Sequence, residues 1–258
     1  MQSQAANKDS FKLLLLASAI TLVLWFVPFA GVLTYPIRLF VTFIHEAGHA
    51  LAALITGGGV HAITLDWNES GLTWTSGGWG FLISTAGYLS TIAYGSGLLL
   101  LLRSARFART AAIATGVAML AITFAFGGNL LVWLVGLLLG AGLVVAGAKT
   151  KLGVLHFLMS FLAVQSLLNA FYHLRALLYL SAFDPSIPTD AGNMSAATGG
   201  WIPPIVWALG WSAISAAMVT GTLVVYYKSL RKPSAEIVAL PAYKVQDPDP
   251  AFRAHGGS

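Results

Sequence analysis

Long apolar runs alternate with short polar breaks from about residue 11 to residue 228. Runs at about 11–33, 36–56, 79–102, 110–126, 129–147, 152–180 and 203–227 are each of a length that suits a helix across a bilayer, which takes about 20 residues. The pattern predicts an all-α polytopic membrane protein with about seven transmembrane helices. Pro28 and Pro36 bracket the break between the first two runs, and Gly127-Gly128-Asn129 makes a tight turn between the fourth and fifth. Glycine recurs inside the runs, as expected where helices pack closely in lipid. Lys8 and Lys12 ahead of Leu13–Val27 have the look of a secretory signal, but no small-x-small cleavage site follows. The run is therefore read as a retained first span.

Two segments depart from the helical pattern. Residues 57–78 open with Gly57-Gly58-Gly59, alternate in part over Val60–Trp67, turn at Asn68-Glu69-Ser70-Gly71 and alternate again over Leu72–Thr75. This predicts a short β-hairpin at 60–76, after the second span. Residues 181–202 are rich in Pro, Asp, Gly, Ser and Thr and predict a loop. The expected organisation is an N-terminal tail at 1–10, one membrane domain at 11–228 and a disordered tail at 229–258.

Composition sharpens this picture. The 258 residues are 57% hydrophobic and 9% charged, with a mean hydropathy of +0.78. A soluble domain carries about 25% charged residues, so this chain needs lipid as its solvent. The net charge of +5 does not point to nucleic acid, because the basic residues cluster between apolar runs. Arg103, Arg106 and Arg109, then Lys149 and Lys151, then Lys228, Arg231 and Lys232 share one side of a seven-span arrangement. Positive-inside bias makes that side cytoplasmic and turns the hairpin outward, Lys8 and Lys12 being the exceptions. There is no cysteine, hence neither disulfide nor thiolate metal site.

Candidate chemistry sits in the second run, at His45-Glu46-Ala47-Gly48-His49. Residues four apart share a helix face with about 6 Å of rise between them, so both imidazoles can reach one tetrahedral zinc. Glu46 is then placed as general base for the bound water, and small Ala47 and Gly48 let another helix or a substrate come close. Two merely hydrogen-bonded histidines are the plainer alternative. That alternative leaves three ionisable groups within five residues of a span unexplained, where an ionised side chain costs roughly 2.5–3.5 kcal/mol. A catalytic zinc needs a third protein ligand, for which His61, His156, His173, Asp66, Asp184 and Asp190 are candidates. Gln165, Asn169 and His173 form a polar stripe at four-residue spacing, either bonding between helices or facing an active site. Asp184 can start a turn or pair with Arg175, and Asp190 can cap a helix.

At these residues the chain resembles the site-2 protease family of intramembrane zinc metallopeptidases, in its small branch without PDZ domains. That family carries His-Glu-x-x-His in a membrane helix, a following β-hairpin that offers an edge strand to substrate, and a distant Leu-Asp-Gly that supplies the third ligand. The resemblance implies His45, His49 and Asp190 as zinc ligands and Glu46 as the base. It covers residues 35–76 and 181–195 well. Here the second motif is Thr189-Asp190-Ala191-Gly192, with no Asn-x-x-Pro before it. The family's site faces the cytosol, opposite to the side implied by the basic loops.

The expected activity is hydrolysis, within a bacterial cell membrane, of a transmembrane or membrane-associated protein. Asn169 and His173 on the stripe and Ile63 and Leu65 on the hairpin are the expected substrate contacts. A transporter would spread its ionisable groups along a path, whereas here they gather at one depth. A silent binding scaffold would have no chemical need for Glu46.

Overall fold

The computed structural model describes residues 30–231, with a few isolated positions between 12 and 23. In chain order it contains α1 (Ala30–Ile55), β1 (Gly59–Leu65), β2 (Gly71–Ser76), α2 (Gly80–Leu101), α3 (Phe107–Phe126), α4 (Leu130–Lys149), α5 (Leu152–Phe183), α6 (Asp190–Ala197) and α7 (Pro204–Arg231). Five of these helices, α1, α3, α4, α5 and α7, are long and apolar enough to cross a membrane. The expected run at 79–102 is a helix, α2, which is not among those five. Thr85, Gly87, Thr91, Gly95 and Ser96 are all buried along it. Small residues at such a seam let backbones approach closely, and the Thr91 hydroxyl donates back to Gly87 O at 2.9 Å.

The expected first span, 11–33, and both tails lie largely outside the described residues. Where the two readings overlap, the boundaries move. Residues 30–34 belong to α1, and Pro36 lies inside that helix instead of marking a break. Pro36 is the seventh residue of the described helix, beyond its first turn, so it leaves Val32 O without the bond that an N–H at that position would donate. At the other end α7 runs on to Arg231, three residues past the expected limit of the membrane domain.

β1 and β2 form a two-stranded antiparallel sheet in which Ile63 faces Thr73 and Leu65 faces Gly71, with an irregularity between Val60 and Ala62. Ile63 and Leu65 are fully buried with Phe40 and Phe43 of α1, Met119 of α3 and Val132 of α4. The hairpin therefore lies wedged among three helices and runs back along α1. Its turn is tied to that helix at three points. Arg38 forms a two-bonded ion pair with Glu69 (2.7 and 2.8 Å), Thr42 donates to Glu69 O at 2.8 Å, and Tyr35 donates to Trp67 O at 2.9 Å. Glu69 has φ of 73°, a left-handed conformation costly for a residue with a Cβ, and these contacts hold it there.

The two sheet edges differ. Along β1, the loop before α4 takes the free groups: Gly128 N–H donates to Ile63 O at 2.8 Å and Asn129 Nδ2 to Leu65 O at 2.7 Å. Along β2, the outer edge has no backbone partner among the described residues.

Candidate metal centre and cleft

The site begins with helix periodicity. His45 and His49 lie one turn apart on α1, their rings 4.8 Å apart and nearly edge-on. Gly48, on a neighbouring face, lets α2 come so close that an added Cβ would collide with Ser90. That approach brings Ile83 O to His49, where it accepts from Nδ1–H at 2.7 Å. A carbonyl can only accept, so Nδ1 carries a proton and Nε2 is the nitrogen turned toward Asp190 and the site, able to bind a metal once it gives up its own proton. Tyr88, also on α2, packs edge-on against His45 with ring centroids 4.6 Å apart.

The third donor arrives from the far end of the chain. Thr189 caps α6, its hydroxyl accepting from Gly192 N–H at 3.1 Å, and Asp190 is the first helical residue. The expected capping role thus belongs to Thr189. Ala191 and Met194 are buried with Leu174, Leu177 and Trp211, which fixes the short helix on α5 and α7. Asp190 Oδ2 consequently lies 3.3 Å from His45 Nε2 and 3.4 Å from His49 Nε2. Burial would push the Asp190 carboxyl up, but the His49 and His45 imidazoles outweigh it and hold the group below the usual carboxylate range.

This donor set fits zinc. Ligand atoms of the three residues lie within 4.8 Å of one another. Tetrahedral ligands about 2.0–2.1 Å from a zinc stand about 3.3 Å apart. Gly87 of α2 faces the same point, and a Cβ there would press against the Nε2 atoms of both histidines. The hollow for an ion thus depends on a residue without a side chain.

Glu46 is held by the hairpin. The Thr73 hydroxyl, on β2, donates to Glu46 Oε2 at 2.6 Å, with the Glu46 carbonyl 3.0 Å away. Gly71, two residues earlier on the same strand face, allows this approach, because a Cβ there would lie 2.7 Å from Glu46 Oε1. His45, His49, Asp190, Glu46, residues of β2, Tyr88 and His173 together line a cleft of about 690 Å³.

The residues anticipated from the sequence divide into three groups. His45, Glu46, His49, His173 and Asp190 share the cleft. Asn169 does not. It donates to Gln165 O at 2.9 Å and lines a neighbouring cavity. Ile63 and Leu65 are 0% and 1% exposed and point into the core, so the strand bordering the cleft is β2. The other ligand candidates are occupied elsewhere. His61 bonds Ser76 Oγ at 2.8 Å, His156 bonds Leu102 O at 2.8 Å, and Asp184 accepts from Ser186 at 2.6 Å instead of pairing with Arg175. Asp66 lies 3.4 Å from the Ser70 hydroxyl in the hairpin turn. Thr73, Gly71 and Gly87 were not anticipated. Their only sequence signal is smallness, which many residues of this chain share.

The Peptidase M50B-like family model matches residues 14–222. The chain belongs to that family. No curated protein and no solved structure matches it. The Peptidase M50B-like match runs from before α1 into α7 and so takes in the His-Glu-x-x-His helix, the hairpin and Asp190. M50B-like proteins are of the site-2 protease type, so membership supports a peptidase, and with five membrane-length apolar helices it fits a multi-pass membrane protein.

Proposed function

We propose that this chain is an intramembrane zinc metalloprotease that cleaves a transmembrane or membrane-associated protein. The reading is carried by one observation: the convergence of His45, His49 and Asp190 on one point beside Glu46. Bound by these three residues, zinc would lower the pKa of a water molecule toward neutrality and polarise the scissile carbonyl. Glu46 acts as the base. With Oε2 occupied by Thr73, Oε1 receives the water proton and passes it to the leaving amine.

Substrate binding follows from the sheet. A helical substrate has its carbonyls bonded internally and must unwind before attack. The outer edge of β2 supplies backbone partners to the unwound chain, as in other cases of strand addition. His173, on the α5 wall of the cleft, contacts the bound peptide, and Asn169 lies further along it. In this reading α2 and the run at 11–33 cross the bilayer with the other five helices, giving seven crossings.

The test pairs metal analysis with cleavage. Purified wild-type protein should carry one zinc per chain, and His49→Ala and Asp190→Ala should lose it. Glu46→Gln should keep the zinc while cleavage falls at least a hundredfold, the lower range for a general base. Native material without zinc, or full activity in Glu46→Gln, refutes the assignment.

A further inference from the structure

Between α1 and α5 lies a second cavity of about 750 Å³ that shares Glu69 and Tyr172 with the cleft. Its lining includes Arg38, Gln165, Asn169 and Arg175. Arg38 is engaged by Glu69 and by Thr34, whose hydroxyl lies 3.0 Å from Nη1. Arg38 and Glu69 therefore cancel, and Arg175 leaves the cavity with one net positive charge. Among the described residues Arg175 has neither an ion pair nor a hydrogen bond. It stands eight residues before the end of α5, about 12 Å of rise below that end. Its side chain is exposed and lines the cavity, so the guanidinium is open to an anion that enters it.

Beyond the turn that precedes β2 the cavity continues the cleft, with Glu69 of that turn lining both. Arg38, on its wall, precedes His45 by seven residues of α1, about 10 Å of rise. An extended chain advances about 3.3 Å per residue, so a peptide centred on the metal site reaches the cavity after three or four residues. Resting on the proteolytic reading above, we propose that Arg175 is a specificity-determining residue. It binds the carboxylate of a substrate Asp or Glu three or four residues from the scissile bond, on one side of that bond only. Tyr172, which lines both spaces, borders the path between them.

The probe is β-casein, an unfolded chain with acidic residues in many contexts, digested by the full-length zinc-loaded protein in detergent and mapped by mass spectrometry. Glu46→Gln is the blank, and zinc content and thermal unfolding are checked for every variant. Wild type should favour bonds with Asp or Glu at the third or fourth position on one side by about five- to tenfold, as befits a partly exposed charge-assisted hydrogen bond. Arg175→Gln should abolish that preference with zinc unchanged, and Arg175→Glu should exchange it for Lys or Arg. Cleavage that needs Glu46 but lacks the acidic preference, or keeps it in Arg175→Gln, overturns the subsite and leaves the protease standing. A drop in Arg175→Gln that is uniform over all bonds, and is answered by added anionic phospholipid in wild type alone, assigns Arg175 to a lipid headgroup and overturns the proposal. Cleavage no greater in wild type than in Glu46→Gln overturns both readings.

Discussion

Two glycines and a threonine govern the chemistry that the ionisable residues are proposed to perform. Gly87→Ala would set a methyl group against the Nε2 atoms of both histidines, so zinc content should fall several-fold while the protein still folds. Gly97→Ala, on the same helix with nothing within 4 Å of the new atom, serves as the neutral control. Gly71→Ala should do the reverse of Gly87→Ala, keeping zinc but lowering cleavage, because the added atom displaces the Glu46 carboxylate. Thr73→Val removes the hydrogen bond that turns that carboxylate, and kcat should fall about tenfold with zinc retained, the loss of one charge-assisted bond. The histidines and Glu46 were legible because their meaning lies in local spacing. Asp190 was one of six candidates by residue type and was singled out only through the family resemblance, since Thr-Asp-Ala-Gly by itself reads as a loop meeting a helix. Gly71, Thr73 and Gly87 act on residues more than twenty positions away, and no local pattern distinguishes them from other small residues.

Elements position these groups, and the shortest helix among the described residues carries the proposed third donor. Thr189→Ala removes the cap of α6 and should cost about 1 kcal/mol of local stability. Asp190 then fluctuates, and the expected result is weaker zinc retention against a competing chelator, with Thr189→Ser restoring it. The hairpin depends on Arg38 in a similar way. Arg38→Met leaves Glu69 unpaired at a left-handed φ, so hydrogen exchange should quicken in residues 66–71 while α3 and α4 stay protected. The hairpin was legible from alternation and turn residues, but not the face it buries. Period two tells which residues share a face, and here tertiary packing turned Ile63 and Leu65 inward. Helix limits moved for a related reason. Pro36 stops a helix only where neighbours do not carry it through.

At the scale of the molecule, α1 and α6 meet only because the fold returns the chain after 145 residues. A bound ion would clasp these distant segments together. Holding zinc at one hundred times its Kd should therefore add about 2.7 kcal/mol to stability. Chelation should lower the thermal midpoint in wild type and leave His49→Ala unmoved. The bundle itself was plain from hydropathy, since runs of about twenty apolar residues have few other uses. α2 falls outside those five because glycine, serine and threonine are interspersed along it, where they give neighbouring backbones room.

The unequal edges of the hairpin bear on turnover under the proposed reading. With β1 sealed by Asn129 and its neighbours, a single guest strand can dock at a time, and a cut fragment that stays stretched out blocks its successor. Hydrocarbon penalises that stretched state, since a fragment returning to lipid must bond its own amides. Rewinding into a helix then strips the fragment from β2, and the membrane clears the enzyme between rounds.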